Sequence, residues 1–571
     1  MLRAAILLNV RAVPLSLSHL FRVSVIGIGF ALKATLAHAA VDQLSQEDVT
    51  EIMAQAVTEA SRIDPKAIIA ITDREGFVLG VWDVGNRLPN PLPPAIPLTK
   101  DSIRIYGLIA GAITRAGTAA YLSSNQEAFT SRTAGYIIQQ HFPVGVRNTG
   151  PGPLVGVGFS NLFYSDINRF KLIPPGFDNA PFGPTINSGT RGGTVLFGSL
   201  NDSPGGVPLY KNGHLVGGIG VTGDGNPTDL APAAAIFLGE KRNDATIGYK
   251  SDRDTDEEVA LAGQTGFRPP SDILATNVLI NGIRIPYVGV RKEEIEDAHN
   301  VSSLGSIGRA VPGYEIHASP APFPYEVATF GSVEGEIRAP IIDDPLLNSP
   351  TRGLIGKARR LNADEVTGII DNAAKRAGIT RAGIRLPVGT SAKVFIVVVS
   401  NPNRAGEAPA VLGTFRAGEA TLFSWDVAAQ KARSALFFSN RQLAQTTRTI
   451  GFLAQRFYPP GLDGHPHGPY FGFQEAITLR QARGGTAAAP KFPGNPNLPN
   501  GLTIFPGGFP LYRDGYLVGA IGISGDGVDQ DDIIGLSGTV QFPPKGKISA
   551  DNYTYRGARL PYTKWPRDPV R

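Results

Sequence analysis

No cysteine occurs among the chain's 571 residues. That absence excludes disulfides, thiolate-held metals, iron–sulfur clusters, a cysteine nucleophile and a cysteine-linked lipid together. Histidine is scarce, with 8 residues. Clustered positive charge is missing as well: the formal excess is +5, and the short basic run Lys357–Arg360 reads as a solvated linker. Phosphate contacts dominate nucleic-acid affinity and need dense cations, so no nucleic-acid partner is expected. A long apolar run is also lacking. The stretch Val23–Leu32 is shorter than the roughly 20 residues a membrane span needs, and no later segment is long and apolar enough to cross a bilayer.

Glycine (68) and proline (46) are plentiful, in runs such as Pro89–Pro97, Pro143–Pro153 and Pro490–Pro506 that read as long loops. Hydrophobic residues make up 42%, enough for a sizeable core. At the N-terminus, Arg3, Arg11 and Arg22 precede the apolar stretch, and Ala37-His38-Ala39 follows it. This is the order of a secretion signal, so residues 1–39 are expected to be a cleaved signal peptide and the mature protein periplasmic or secreted. An uncleaved anchor is the competing reading.

The strongest signal is internal repetition. Gly205–Gly225 (GGVPLYKNGHLVGGIGVTGDG) matches Gly507–Gly527 (GGFPLYRDGYLVGAIGISGDG), 302 positions on. Arg115–Pro143 matches Lys431–Pro459 without a gap, 316 positions on. Leu44–Val49 corresponds to Leu361–Val366, and Phe267–Val288 to Phe542–Thr563, at spacings of 317 and 275. The order of the blocks is kept. The chain therefore reads as copy one, 41–288, with insertions at 144–204 and 226–253; a linker, 289–357; and copy two, 358–571, with an insertion at 460–506.

Each copy opens with a helix whose cap is Ser45 or Asn362, with Asp48 or Glu365 three residues on. A hairpin follows (67–81; 393–415), then a helical region (102–140; 417–456) expected to break near Ser123–Asn125 and Ser439–Asn440. A second hairpin turns at Asn212-Gly213 or Asp514-Gly515, residues that favour the positive φ of a type I′ turn. An acidic segment then starts another helix (254–262; 529–536). This order predicts an α+β fold with helices packed on a central antiparallel sheet.

The hairpin motif at 205–223 and 507–525, the acidic helix start after it, and Lys431-Ala-Arg-Ser-Ala435 resemble the GlcG/HbpS-type family, also called the haem-degrading domain family. Copy one has Arg115-Ala-Gly-Thr-Ala119, with Arg in place of Lys. The resemblance implies two copies of a profilin-like α/β/α sandwich, a tendency to homo-oligomers, and haem or another small molecule as ligand. It also implies that Thr118 and Ser434 lie near the ligand. The inserted loops depart from the compact family pattern.

Other candidates are weaker. Gly218–Gly223 matches G-x-G-x-x-G, but it lies within a hairpin strand and reads as close packing, not as a dinucleotide loop. Arg132 and Arg448 are the best repeated cations; a bidentate fork suits haem propionates, or an internal salt bridge. Asp463, His465 and His467 suit one borderline metal, or a plain polar loop. No histidine pairs with one in the other copy, which argues against two symmetric His-ligated haems. No acid–base constellation is evident, so an enzyme is not the favoured reading. The expectation is an exported haem- or small-ligand-binding protein. The alternatives are a structural or accessory subunit of an exported assembly, and a periplasmic enzyme with the insertions as lids.

Overall fold

The computed structural model describes residues 42–94, 99–155, 166–171, 200–223, 229–239, 253–289, 301–320, 325–387, 389–474, 476 and 495–564. The expected signal peptide lies outside them, as do much of the 144–204, 226–253 and 460–506 insertions.

In the first half, α1 (Gln46–Ile63) starts at Ser45, whose hydroxyl accepts from the Asp48 N–H while the Asp48 carboxylate accepts from the Ser45 N–H. Val49, Ile52, Met53, Ala56, Val57 and Ala60 form its buried stripe. The hairpin β1 (Ile68–Asp73) and β2 (Val78–Asp83) follows, then α2 (Lys100–Leu122), α3 (Ser131–Ile137) and the short α4 (Asp166–Phe170). The break after α2 falls at Ser123, as the small polar residues there predict. A second hairpin, β3 (Gly206–Lys211) and β4 (His214–Thr222), turns at Asn212 and Gly213, with φ of 51° and 81°. Two helices complete the half: α5 (Pro232–Leu238) and α6 (Thr255–Gly263).

The segment read as a linker contributes strands to both sheets. β5 (Arg309–Ala310) pairs with β2, while β6 (Glu326–Phe330) and β7 (Val333–Ala339) form a hairpin beside the second sheet. The second half repeats the plan: α7 (Ala363–Ile379), β8 (Phe395–Ser400), β9 (Val411–Ala417), α8 (Phe423–Phe438), α9 (Thr447–Leu453), β10 (Gly508–Arg513), β11 (Tyr516–Ser524) and α10 (Val528–Gly538). The sheet orders are β3-β4-β1-β2-β5 and β10-β11-β8-β9-β7-β6, antiparallel throughout. The fold is α+β, as expected.

Glycines let each long helix lie almost against its hairpin. A Cβ on Gly220 would stand 2.2 Å from the Ala112 carbonyl oxygen, and one on Gly522 would stand 1.9 Å from that of Ala428. Ala112 and Ala428 are 316 positions apart and Gly220 and Gly522 are 302 apart, so the contact recurs at the spacings of the sequence blocks. The G-x-G pattern thus serves packing between strand and helix.

One apolar core runs through both halves, from Ile68, Ile113 and Tyr121 to Phe395, Trp425 and Val427. A second fills the space between α1, α6 and the first sheet. Polar ties join the halves: Glu75 with Arg338 (2.8 Å), Arg74 with Glu419 (3.0 Å), and Asp166 with Arg433. The His141 ring stacks on Phe457 with centroids 6.2 Å apart, and Arg147 approaches Asp463 at 3.7 Å. His141 and Phe457 are counterparts in the repeated blocks, and Arg147 and Asp463, four residues past the ends of those blocks, keep the same spacing of 316. Contacts between counterparts mark a pseudo-two-fold axis between the halves.

Candidate functional site

The sequence sets a cation on each long helix and an acid in the first turn of the helix after the Gly-rich hairpin. Folding brings them together. Lys431 on α8 is buried; its Nζ donates to the Ile523 carbonyl and to Asp531 Oδ2, both at 2.7 Å. Arg115 on α2 donates in the same way to the Val221 carbonyl and to Asp256. A second repeated pair lies beside each. Arg132 meets Glu257 at 2.8 Å, while Arg448 meets Asp529 at 2.8 Å and also Asp532. The acidic segments thus place carboxylates in the first turn of each helix, with Asp254 capping α6, and also neutralise buried cations. Arg132 and Arg448 are committed to these pairs; of the two readings the sequence left open, the salt bridge is the one formed.

The two hydroxyls are buried and hold the chain that enters β3 and β10. Thr118 Oγ1 donates to the Thr114 carbonyl (2.8 Å) and accepts from the Asn201 N–H (2.7 Å). Ser434 Oγ accepts from the Thr503 N–H at 3.1 Å. His465 and His467 are exposed, and the His467 ring packs on Phe471. Asp463 turns away from them: its N–H donates to Asn148, and its carboxylate lies 3.7 Å from His141. Among the described residues no group of three metal-ligating side chains converges.

A narrow cleft opens where the halves meet. Half two lines it with Phe423, Lys431, Phe505, Asp531 and the turn at Ser524–Gly525; half one supplies Phe129, Ile137, Pro153 and Leu154. Water centres can occupy about 20 Å³ of it, room for one or two molecules. Arg385 closes one end, donating to Thr421 Oγ1 (2.6 Å) and the Gly525 carbonyl and facing Glu127 of half one at 3.6 Å.

Charges here are costly. Burial pushes the Asp531 carboxyl up to about 6 against the pull of Lys431, and burial lowers Lys431 against the pull of Asp531. Desolvation outweighs mutual attraction on both sides of the pair. Burial also raises Glu127 well above the carboxylate range, although Arg385 opposes it. Among the described residues, Asp531 Oδ1 accepts no hydrogen bond. Sequence reasoning found Lys431 and Asp531 only as motif positions and missed Arg385 and Glu127. The available signal was the recurrence of cation and acid at spacings of 316 and 275.

Residues 394–539 match the family model described as "HbpS-like: Haem degrading protein HbpS-like". That segment runs from β8 through α10 and holds both Lys431 and Asp531. Over residues 394–539 the chain is similar to an HbpS-like domain. Three solved structures are similar to this chain. A PduOC–haem complex is 20% identical, with 32% of this chain and 93% of that chain covered at a TM-score of 0.21. The Klebsiella pneumoniae protein ORFY is 19% identical (33% and 94% covered, TM-score 0.21). HbpS is 18% identical (34% and 96%, TM-score 0.20). No curated protein matches the chain.

The described cleft does not fit a haem. It admits a water or two, no histidine lines it, and its cations are already paired with carboxylates or carbonyls. The arginines expected at propionates hold Glu257, Asp529 and Asp532 instead.

Proposed function

We propose that the chain is an exported small-ligand-binding protein built from two related halves, whose ligand enters the cleft against the HbpS-like domain. One observation carries this: Asp531, which lines a mostly apolar cleft, has a buried carboxylate oxygen, Oδ1, without a hydrogen-bond partner among the described residues. A buried acceptor left unmade costs roughly 1–3 kcal/mol, which a ligand bringing a donor recovers. Three phenylalanines favour an apolar body behind that donor. The ligand class is a compact molecule with an apolar body and a hydrogen-bond donor; because the cleft as it stands has room for a water or two, entry displaces that water and requires the side chains lining the cleft to give way. The repeated ion pairs and the shared strand order support descent of both halves from one domain; the N-terminal pattern supports export.

The test is calorimetry on the chain from Ala40, with n-butylamine as probe. Saturable binding is expected, with affinity at least about tenfold weaker in Asp531→Asn, or about 1.4 kcal/mol. Equal isotherms for the two proteins, with unchanged melting temperature, would place any binding elsewhere. The family's description supports a second reading, haem, which requires the Pro153–Leu154 wall to part. A haemin titration with a shifted Soret band, lost in Lys431→Ala, would favour it over the compact ligand.

A further inference from the structure

We propose that half one's counterpart of this cleft is filled by the protein itself: the segment Asp229–Leu238 is a built-in occupant, and the chain carries one ligand site, in half two. The inference rests on the reading of the half-two cleft as a ligand site.

The register of the two long helices locates the counterpart. Arg115 corresponds to Lys431, so Gly107 corresponds to Phe423 and Gly111 to Val427, all 316 positions apart. Phe423 lines the open cleft. At Gly107 no side chain stands in the way, and the insertion comes down onto the helix. The Ala231 N–H donates to the Gly107 carbonyl at 2.9 Å. A Cβ on Gly107 would stand 2.6 Å from Ala234 Cβ, and one on Gly111 1.9 Å from the Asp229 carbonyl oxygen. Leu230, Ala231, Ala234 and Ala235 are buried there. The Asp229 carboxylate lies 3.8 Å from Arg115, so the occupant reaches the same cation that Lys431 replaces in half two.

This contact is specific to half one. The insertion that supplies it follows Gly225, and half two passes directly from Gly527 into α10. The glycines at 107 and 111 are the complementary change on the helix. A bulky side chain there and the occupant exclude one another, just as Phe423 and an open cleft belong together in half two.

The experiment excises residues 226–253 from the otherwise full chain, bridging the gap with a short Gly-Ser link, and titrates in a synthetic peptide of residues 226–239. Saturable 1:1 binding is expected, absent from the uncut protein and abolished by Gly107→Phe in the excised background. Failure of the peptide to bind a folded excised protein overturns the proposal. Should the excised chain not fold, Gly107→Phe in the intact chain is the second test. Amide exchange across Leu230–Leu238 is expected to rise at least tenfold with that of β11 unchanged, and unchanged protection overturns the proposal. n-Butylamine stoichiometry separates the two ideas: one site in the intact chain and two after excision support both, whereas peptide binding without any amine binding upholds the occupant and removes the ligand reading.

Discussion

Glu75 shows how much one carboxylate can carry. Burial alone would raise it, but the Arg338 guanidinium overrides this and holds it down at about 2. The folded value lies below the unfolded value of 4.5, so its contribution is present above pH 4.5 and is lost as pH falls toward 2. The size is roughly 3 kcal/mol by the usual conversion. Glu75→Gln is expected to lose about that much in urea unfolding at pH 7, and the difference from wild type is expected to shrink at pH 3. Asp531 has the opposite sign. Its folded value is raised from 3.8 to about 6, so the protonated form is favoured on folding and its stabilising effect fades as pH rises through 6. Since a donor ligand needs the carboxylate, n-butylamine affinity is expected to fall between pH 7.5 and pH 5 in calorimetry. At this scale the sequence was partly readable. Lys431 and Asp531 were visible only as motif positions, although each recurs with a counterpart of like charge that could have marked the pair, whereas Glu127 and Arg385 have no such echo. Their meeting depends on how the halves dock, which no local pattern records.

The helices, their caps and both hairpins were legible because each has a local cause: Ser45 and Asn362 with their reciprocal acids, and Asn212-Gly213 and Asp514-Gly515 at the turns. The hairpin β6–β7 was not. Its strands are short and half-exposed, and their burial comes from long-range partners: pairing with β9 at the sheet edge and packing of Phe330 on Phe415. The closest approach of helix to sheet makes a direct prediction. In Gly522→Ala the new methyl meets the Ala428 carbonyl and the Ala432 amide, which are backbone and cannot turn aside. A loss of about 3 kcal/mol is expected, read as a lowered melting temperature, since overpacking typically costs 1–3 kcal/mol. A neutral result would mean that α8 can lift from the strand.

The halves share a core and bury charges against each other, so neither is a finished domain. Arg433 of half two is fully buried against Asp166 of half one, and Arg338 against Glu75. Removing one partner of such a pair leaves an unpaired buried charge, at about 3–5 kcal/mol. Residues 325–571 expressed alone are therefore expected to aggregate or to associate with themselves, whereas co-expression with 40–320 is expected to give a 1:1 complex on a sizing column. A well-behaved monomer from 325–571 would show that the shared core is dispensable.

The contact between Arg147 and Asp463 is exposed on the arginine side, so it adds little energy. Its sign matters more than its strength. At a symmetry axis between two identical subunits each side chain meets its own twin, and an ionised residue there faces a like charge. Joined in a single polypeptide, the two positions can take opposite signs, and a site of repulsion becomes a point of recognition between left and right.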